Sequence, residues 1–508
     1  MQLKERHPSG STRSTRLAAL VAVFVCLVVI PAPAVSDTPA ELFGRIEKVL
    51  LAHRLERAFF GAKVVSLESH QVVYERNSSS FFMPASNMKL VTAVAAAEIL
   101  GLDYRFRTTL ATDGGITGGR LEGDLVVMGS GDPTLGARLA SPDQETMAEG
   151  DPFAIFREWA ARLKSLGIER VTGDLVGDPT VFGGPERGAG WAWDDFAWGF
   201  CAPIGGLQFN ENSALLRVPE QAPSVSTPVV ELTPPGALQL INRLTFAGRQ
   251  DEPEVEASVL VPGLIELKGK VRTDRRSSYS LAVPAPADYF LATLRQVLVE
   301  SGISVEGKNR VRPAAEALPQ ELKTLFAFDS PDLRYLLRVM LKVSQNLYAE
   351  TLLKVLSPYR TGKTFEDGKD QVRQFLRQIG VPEEGMVLAD GSGVSRYNLL
   401  TPDTLVTLLE HAYRAPYGPE LVECLPIGGV DGTLRERMKM SAAAGVTRAK
   451  TGSLMYVRCL SGYLSTKDGE MLAFSLMLNH VAPQLDETPE RALDEIAALL
   501  AESRRRQE

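Results

Sequence analysis

Apolar and polar positions recur with two periods along this chain of 508 residues, and the changes of period divide it. Ala62 to Leu67 and Gln71 to Tyr74 read as a β-hairpin. Close behind them, Leu90, Ala93, Val94, Ala97 and Leu100 repeat at helical spacing, with Pro84 ahead and Gly101 as a stop. The positions between are apolar or small as well, which predicts a helix buried on most sides. Asp332 to Val343 and Leu347 to Leu356 predict two more helices, broken at Ser344-Gln345-Asn346. Towards the C-terminus, Leu454 to Leu460 and Met471 to Leu478 read as two strands joined at Lys467-Asp468-Gly469, followed by an amphipathic helix from Pro489 to Ser503. This order favours an α+β domain, with an antiparallel sheet drawn from both chain ends and flanked by helices.

The middle of the chain has a different texture. Residues 104–324 hold short β-like runs punctuated by Pro and Gly and read as an inserted, mainly β region of two nested domains. That leaves 40–103 and 325–508 as a discontinuous outer domain, with Pro313 to Gln320 as a linker. Within the insertion, Gly123-Asp124-Leu125-Val126 leading to Gly131-Asp132-Pro133-Thr134 recurs as Gly173-Asp174-Leu175-Val176 leading to Gly177-Asp178-Pro179-Thr180. One duplication is too few for a solenoid. A long insertion is tolerated if its two ends meet, because loop-closure cost grows slowly with length.

The first residues change the picture again. Lys4, Arg6, Arg13 and Arg16 precede an apolar run from Leu17 to Ile30, and Ala32-Pro33-Ala34 offers a small-residue cleavage site. Residues 1–34 therefore read as a secretory signal peptide, the run being short for a membrane span. The remainder is expected to act outside the cytoplasm. A hydrophobic content of 44%, a charged content of 23% and a formal net charge of −7 describe a globular chain with no electrostatic reason to bind nucleic acid. Beyond the leader, three cysteines remain (Cys201, Cys424 and Cys459), an odd number; Cys424 and Cys459 are candidates to pair.

Candidate chemistry resides in three short elements that each occur once and in this order: Ser86-Asn87-Met88-Lys89, Ser344-Gln345-Asn346 and Lys450-Thr451-Gly452. Ser86 and Lys89, three apart at a helix start, share a face. A buried hydroxyl and amine held together need a reason, because an unpaired buried ammonium is costly. Acyl transfer supplies it, with Ser86 as nucleophile and Lys89, neutral through burial and the nearby charge of Lys450, as its base. Ser344 is placed to relay a proton and Asn346 to orient Lys89 and a substrate amide. Backbone N–H groups of Ser86 and Ser453 are candidates for an oxyanion hole, Lys450 with Thr451 for a carboxylate site, and Gly452 for close approach of a ligand to the strand. His53, His70, His411 and His480 offer no nucleophile-activating context. The chemistry calls for no metal or cofactor, and none is predicted.

These three elements, with Gly129-Ser130-Gly131-Asp132-Pro133-Thr134-Leu135, Trp191-Ala192-Trp193-Asp194-Asp195, Asp390-Gly391-Ser392-Gly393 and Asp431-Gly432-Thr433-Leu434, resemble the class C low-molecular-mass penicillin-binding proteins, the D-alanyl-D-alanine carboxypeptidase/endopeptidase family. The resemblance implies a catalytic domain of the penicillin-binding/β-lactamase type with two inserted domains. It implies action on peptidoglycan stem peptides and cross-links in the periplasm or at the cell surface, and covalent inhibition by β-lactam antibiotics. It also implies that Asp178 reaches from the insertion to read the free amino group of a diamino acid, and that Arg396 lies near the site. Gln345 departs from the Asp or Asn common at that place in related enzymes. Met455 stands where some relatives carry a polar residue. A serine β-lactamase or esterase-like hydrolase uses the same elements but normally lacks so large an insertion. A cell-wall scaffold with a relict site is the non-enzymatic alternative. The oligomeric state is not legible in the sequence.

Overall fold

The alternating runs at the two ends of the chain meet in one sheet. The structure is a computed structural model that describes residues 39–136, 151–220, 227–248, 251–272, 274, 276–319, 321–481 and 489–505; the leader at 1–34 lies outside the described residues. Strands β1 (Phe59–Ser66), β2 (Val72–Arg76), β3 (Thr447–Leu454), β4 (Val457–Ser465) and β5 (Met471–Asn479) are ordered β2-β1-β5-β4-β3, every pair antiparallel. The two-residue period sorts side chains between two cores. Along β5, Leu472, Phe474, Leu476 and Leu478 join Leu42 and Ile46 of the helix Pro39–Ala52 and Ile496 of the helix Pro489–Glu502. Ala473 and Met477 face the opposite core.

That second core surrounds α1 (Met88–Leu100), which is buried continuously from Met88 to Ala97. A helix with no polar face is stable only when enclosed, and α2 (Leu333–Lys342) and α3 (Asn346–Val355) supply much of the enclosure. One strand expectation is corrected. The segment opened by Lys450-Thr451-Gly452 does not run on to Leu460: it turns at Met455-Tyr456, between the paired Leu454 and Val457. Tyr456 takes up the left-handed conformation, with φ 68°. A hairpin turn without Gly or Asn leaves no compositional mark.

The insertion has a core of its own, including Leu110, Val127, Phe156, Trp159, Leu175 and Phe290. The duplicated segments are partners: Leu125–Met128 pairs in parallel with Leu175–Asp178, Leu125 opposite Leu175 and Met128 opposite Asp178. The Asp124 carboxylate accepts the Asp174 N–H at 2.7 Å, and Asp174 accepts that of Lys308 at 2.7 Å, where Asn309–Val311 adds a third parallel strand. Parallel pairs need crossovers, and the helices Ala154–Ser165 and Pro286–Glu300 lie between these strands in an otherwise β-rich region. The entry strand Arg107–Thr112 pairs antiparallel with the exit strand Lys323–Asp329, so the ends of the insertion lie side by side. Cys201, Cys424 and Cys459 are all buried, and the disulfide considered for Cys424 and Cys459 is not formed. Instead, their thiols point at the carbonyls of Arg334 and Met83.

Candidate active site

A short 3-10 turn, Ala85–Asn87, leads into α1 and holds Ser86 half-buried at the helix start. Ala85 is left-handed, with φ 47°. The turn is backed by Gly393, where a Cβ would come within 1.8 Å of the Ala85 carbonyl oxygen. One turn on, Lys89 is completely buried. Its Nζ lies 3.0 Å from Ser86 Oγ, 2.6 Å from Asn346 Oδ1 and 2.8 Å from the Ser392 carbonyl. The Asn346 amide orientation is set independently, because its Nδ2 donates to the Phe200 carbonyl at 2.8 Å. Burial pulls the Lys89 amine down from 10.5 to about 7, against the opposing pull of Asp390 and Glu350.

Glu350, one turn beyond Asn346 on α3, is a site residue the motifs do not announce. Its fully buried carboxylate accepts the backbone N–H groups of Gly391 and Ser392, at 3.1 and 2.7 Å, and so presents the Ser392 carbonyl to Lys89. Burial and the neighbouring Asp390 push the Glu350 carboxyl up. Asp390 accepts from four donors of its own, Trp191 Nε1, Gly393 N, Ser395 N and Asn398 Nδ2. A signal for Glu350 exists in the sequence: Asn346, Glu350 and Lys354 form a polar stripe at four-residue spacing on a helix whose other residues, apart from Tyr348 and Thr351, are apolar.

Ser344 occupies the break between α2 and α3 with φ 62°. Gln345 caps α3, its Oε1 accepting the Leu347 N–H at 3.0 Å. On β3, Lys450 is fully buried and donates to the Thr451 carbonyl at 2.8 Å, and the Thr451 hydroxyl meets Thr433 at 2.8 Å. The Asp431-Gly432-Thr433-Leu434 segment braces both motifs, since Asp431 also accepts from Lys342 at 2.5 Å, just ahead of Ser344. Gly452 also has a packing reason. A Cβ there would stand 2.7 Å from the Pro84 carbonyl and 3.1 Å from Asn87 Oδ1. Glycine lets the strand abut the turn that carries Ser86.

Ser86, Ser344, Asn346 and Ser453 open onto one cleft of about 510 Å³. Arg396 and Met455 line it from the outer domain, and Ala192, Asp194, Asp195 and Phe200 line it from the insertion. Arg396 Nη1 donates to the Met455 carbonyl at 3.1 Å. Burial, with Asp194 alongside, raises the Asp195 carboxyl, and Arg396 opposes the shift. The expectation for Asp178 is corrected. Its carboxylate is paired with Arg312 at 2.8 Å, both side chains being 8% exposed, and accepts the Thr180 N–H at 3.0 Å. Asp178 is not among the residues that line the cleft; the carboxylates standing there are Asp194 and Asp195. Among the described residues, no group of three or more His, Cys, Asp or Glu side chains is arranged to hold a metal ion.

Comparison with known proteins places this geometry among relatives. The model of the D-Ala-D-Ala carboxypeptidase 3 (S13) family matches residues 42–500. The chain is 33% identical to a D-alanyl-D-alanine carboxypeptidase of Actinomadura sp. (strain R39), over 98% of this chain and 93% of that protein. It is 30% identical to D-alanyl-D-alanine carboxypeptidase DacB of Haemophilus influenzae, over 82% of this chain and 84% of that one. The crystal structure of penicillin binding protein 4 (dacB) from Haemophilus influenzae superposes with a TM-score of 0.76 at 28% identity, covering 89% of this chain and 97% of that chain.

Proposed function

We infer that this chain, which belongs to the D-Ala-D-Ala carboxypeptidase 3 (S13) family, is a serine DD-peptidase that cleaves D-alanyl-D-alanine peptides through an acyl-enzyme on Ser86. The observation that carries the reading is the environment of Lys89. A neutral amine has two N–H groups and one lone pair. Asn346 Oδ1 and the Ser392 carbonyl can only accept, so they take both N–H groups. The lone pair is left for the Ser86 hydroxyl. With a pKa of about 7, a large share of the amine is neutral at physiological pH and ready to act as a base.

The reaction follows from these positions. Lys89 takes the Ser86 proton as Oγ attacks the D-alanyl carbonyl carbon. The developing oxyanion is received by the backbone N–H groups of Ser86 and Ser453. The C–N bond breaks, and the leaving amine receives its proton by way of Lys89 and Ser344. Water then hydrolyses the Ser86 ester and restores the hydroxyl. Lys450, Thr451 and Ser453 hold the carboxylate of the departing residue. Asp194 and Asp195, with Arg396 close by, meet ionic groups on the side chain of the stem peptide, the role that the family resemblance implied for Asp178.

The substrates under this reading are peptidoglycan stem peptides and their cross-links, encountered outside the cytoplasm, and β-lactams acylate the same serine. The 28%-identical Haemophilus influenzae fold has a companion structure complexed with a β-lactam, which supports that expectation. Digestion of purified peptidoglycan followed by product analysis tests the proposal. Released D-Ala marks carboxypeptidase action and loss of cross-linked muropeptides marks endopeptidase action. Ser86→Ala should abolish both; a digest unaffected by that substitution would overturn the reading.

A further inference from the structure

Helix α3 carries the Ser344-Gln345-Asn346 element at its start, and the insertion grips it at several points. The Phe200 carbonyl accepts from Asn346, Gln208 Nε2 donates to Thr351 at 3.0 Å, and the Gly183 and Pro185 carbonyls accept from Lys354 at 3.2 and 2.7 Å. One further contact is unlike these. Gln345 Nε2 donates to the Glu211 carboxylate at 2.5 Å, and left-handed backbone that non-glycine residues seldom adopt lies at one end of that bond and directly beside the other. Asn210, Glu211 and Asn212 are left-handed in succession, with φ of 51, 54 and 50°, and Ser344 beside Gln345 has φ 62°. Such conformations persist only where the surroundings over-determine them, and they cluster at functional sites.

The turn around Glu211 is over-determined. Asn210 Nδ2 donates to the Ser213 carbonyl at 2.8 Å, and Asn212 Nδ2 donates to the Pro203 carbonyl at 2.7 Å and to Gln208 Oε1 at 3.0 Å. At the other end, Gln345 divides its amide. Its oxygen caps α3 through Leu347, and its nitrogen reaches the insertion. Its side chain is long enough to reach both partners.

We propose that Glu211 is a positioning residue for acylation. Through Gln345 it holds Ser344 in its left-handed conformation and fixes the first turn of α3, from which Asn346 orients Lys89. The insertion thus sets the catalytic geometry as well as lining the cleft. The inference rests on the reading of Ser86 as the acylated nucleophile.

The test is single-turnover acylation by a fluorescent penicillin, which separates the affinity of the initial complex from the acylation rate constant. E211A and Q345A should each lower the rate constant about 10-fold with the initial affinity unchanged, and the double variant should lose no more than either alone. The swap E211Q/Q345E, close to isosteric at both positions, rebuilds the amide–carboxylate bond with donor and acceptor exchanged. It should return to within about 3-fold of the natural chain, whereas Q345E alone sets two carboxylates together and should be the slowest variant. If E211A fails to fold, the swap and Q345E decide. Rates like the natural chain's in Q345A and Q345E, losses that add, weaker initial binding with an unchanged rate constant, or a swap as slow as Q345E would each overturn the inference. Failure of the natural chain to be labelled at Ser86 would instead overturn the function on which it rests.

Discussion

Replacing Asn346 with Asp tests the protonation state of Lys89, on which the mechanism depends. Asn346 Oδ1 lies 2.6 Å from the amine, so the substitution sets a carboxylate against a lysine whose pKa is about 7. An opposite charge in contact favours the ammonium and moves such a group by about 1–3 units. Coulomb attraction of about 4 kcal/mol at 4 Å and an effective dielectric of 20 corresponds to roughly 3 units, the same range. For a rise of about 2 units, the neutral fraction at pH 7.5 falls from about three quarters to about 3%, a loss of about 25-fold in acylation rate. The sign is fixed: the active form is the neutral amine, so activity is gained as pH rises through the pKa. The natural chain should show an acylation limb near pH 7 that levels at higher pH, and Asn346→Asp a limb displaced towards about pH 9. Loss of the donor to Phe200 adds a factor independent of pH, so the position of the limb and not the absolute rate is diagnostic. Rates of labelling by a fluorescent penicillin from about pH 5.5 to 10 provide the measurement. A variant slowed by one constant factor, its limb unmoved, would show that Lys89 is not the titrating base.

Lys89→Met removes the base while keeping the bulk, and acylation should fall by about 10²–10⁴-fold, measured by the same labelling. Gly393→Ala would press a Cβ to 1.8 Å from the Ala85 carbonyl at φ 85°, so thermal unfolding should show a loss of at least about 1–3 kcal/mol together with impaired labelling; a melting curve like the natural chain's would contradict the account of the nucleophile turn. Arg312→Met leaves the Asp178 carboxylate buried without its partner and should cost about 3–5 kcal/mol in denaturant unfolding. Asp178→Asn should leave the preference among stem peptides with different side-chain charges unaltered, while Asp194→Asn should change it; the reverse ranking of kcat/KM would restore the sequence-based assignment.

The three elements of the proposed site were legible because each is locally encoded. Ser86 and Lys89 share a face through helix geometry alone, and the apolar run around them is enough to announce burial. The break at Ser344 and the two chain-end hairpins were legible for the same reason, periodicity over a few neighbours. Other features left little local trace. The turn at Met455-Tyr456 has no turn residues, and the four-residue polar stripe on α3 singles out Glu350 without showing that the backbone of Gly391 and Ser392 closes on it. The repeat around Asp124 and Asp174 was visible, but that its copies are neighbouring parallel strands was not. That pairing explains Asp178: the residue ends the second copy beside Met128 and turns to Arg312.

By itself, the sequence determined which groups are proposed to carry the chemistry and in what order they come, because motif spacing and side-chain burial are short-range properties. Only the tertiary structure decided which distant residues share the cleft. Asp194, Asp195, Phe200 and Glu211 converge on α3 and its cleft because the entry and exit strands of the insertion pair side by side and return it over the site. Convergence of that kind depends on how whole domains pack, and no pattern among neighbouring residues records it.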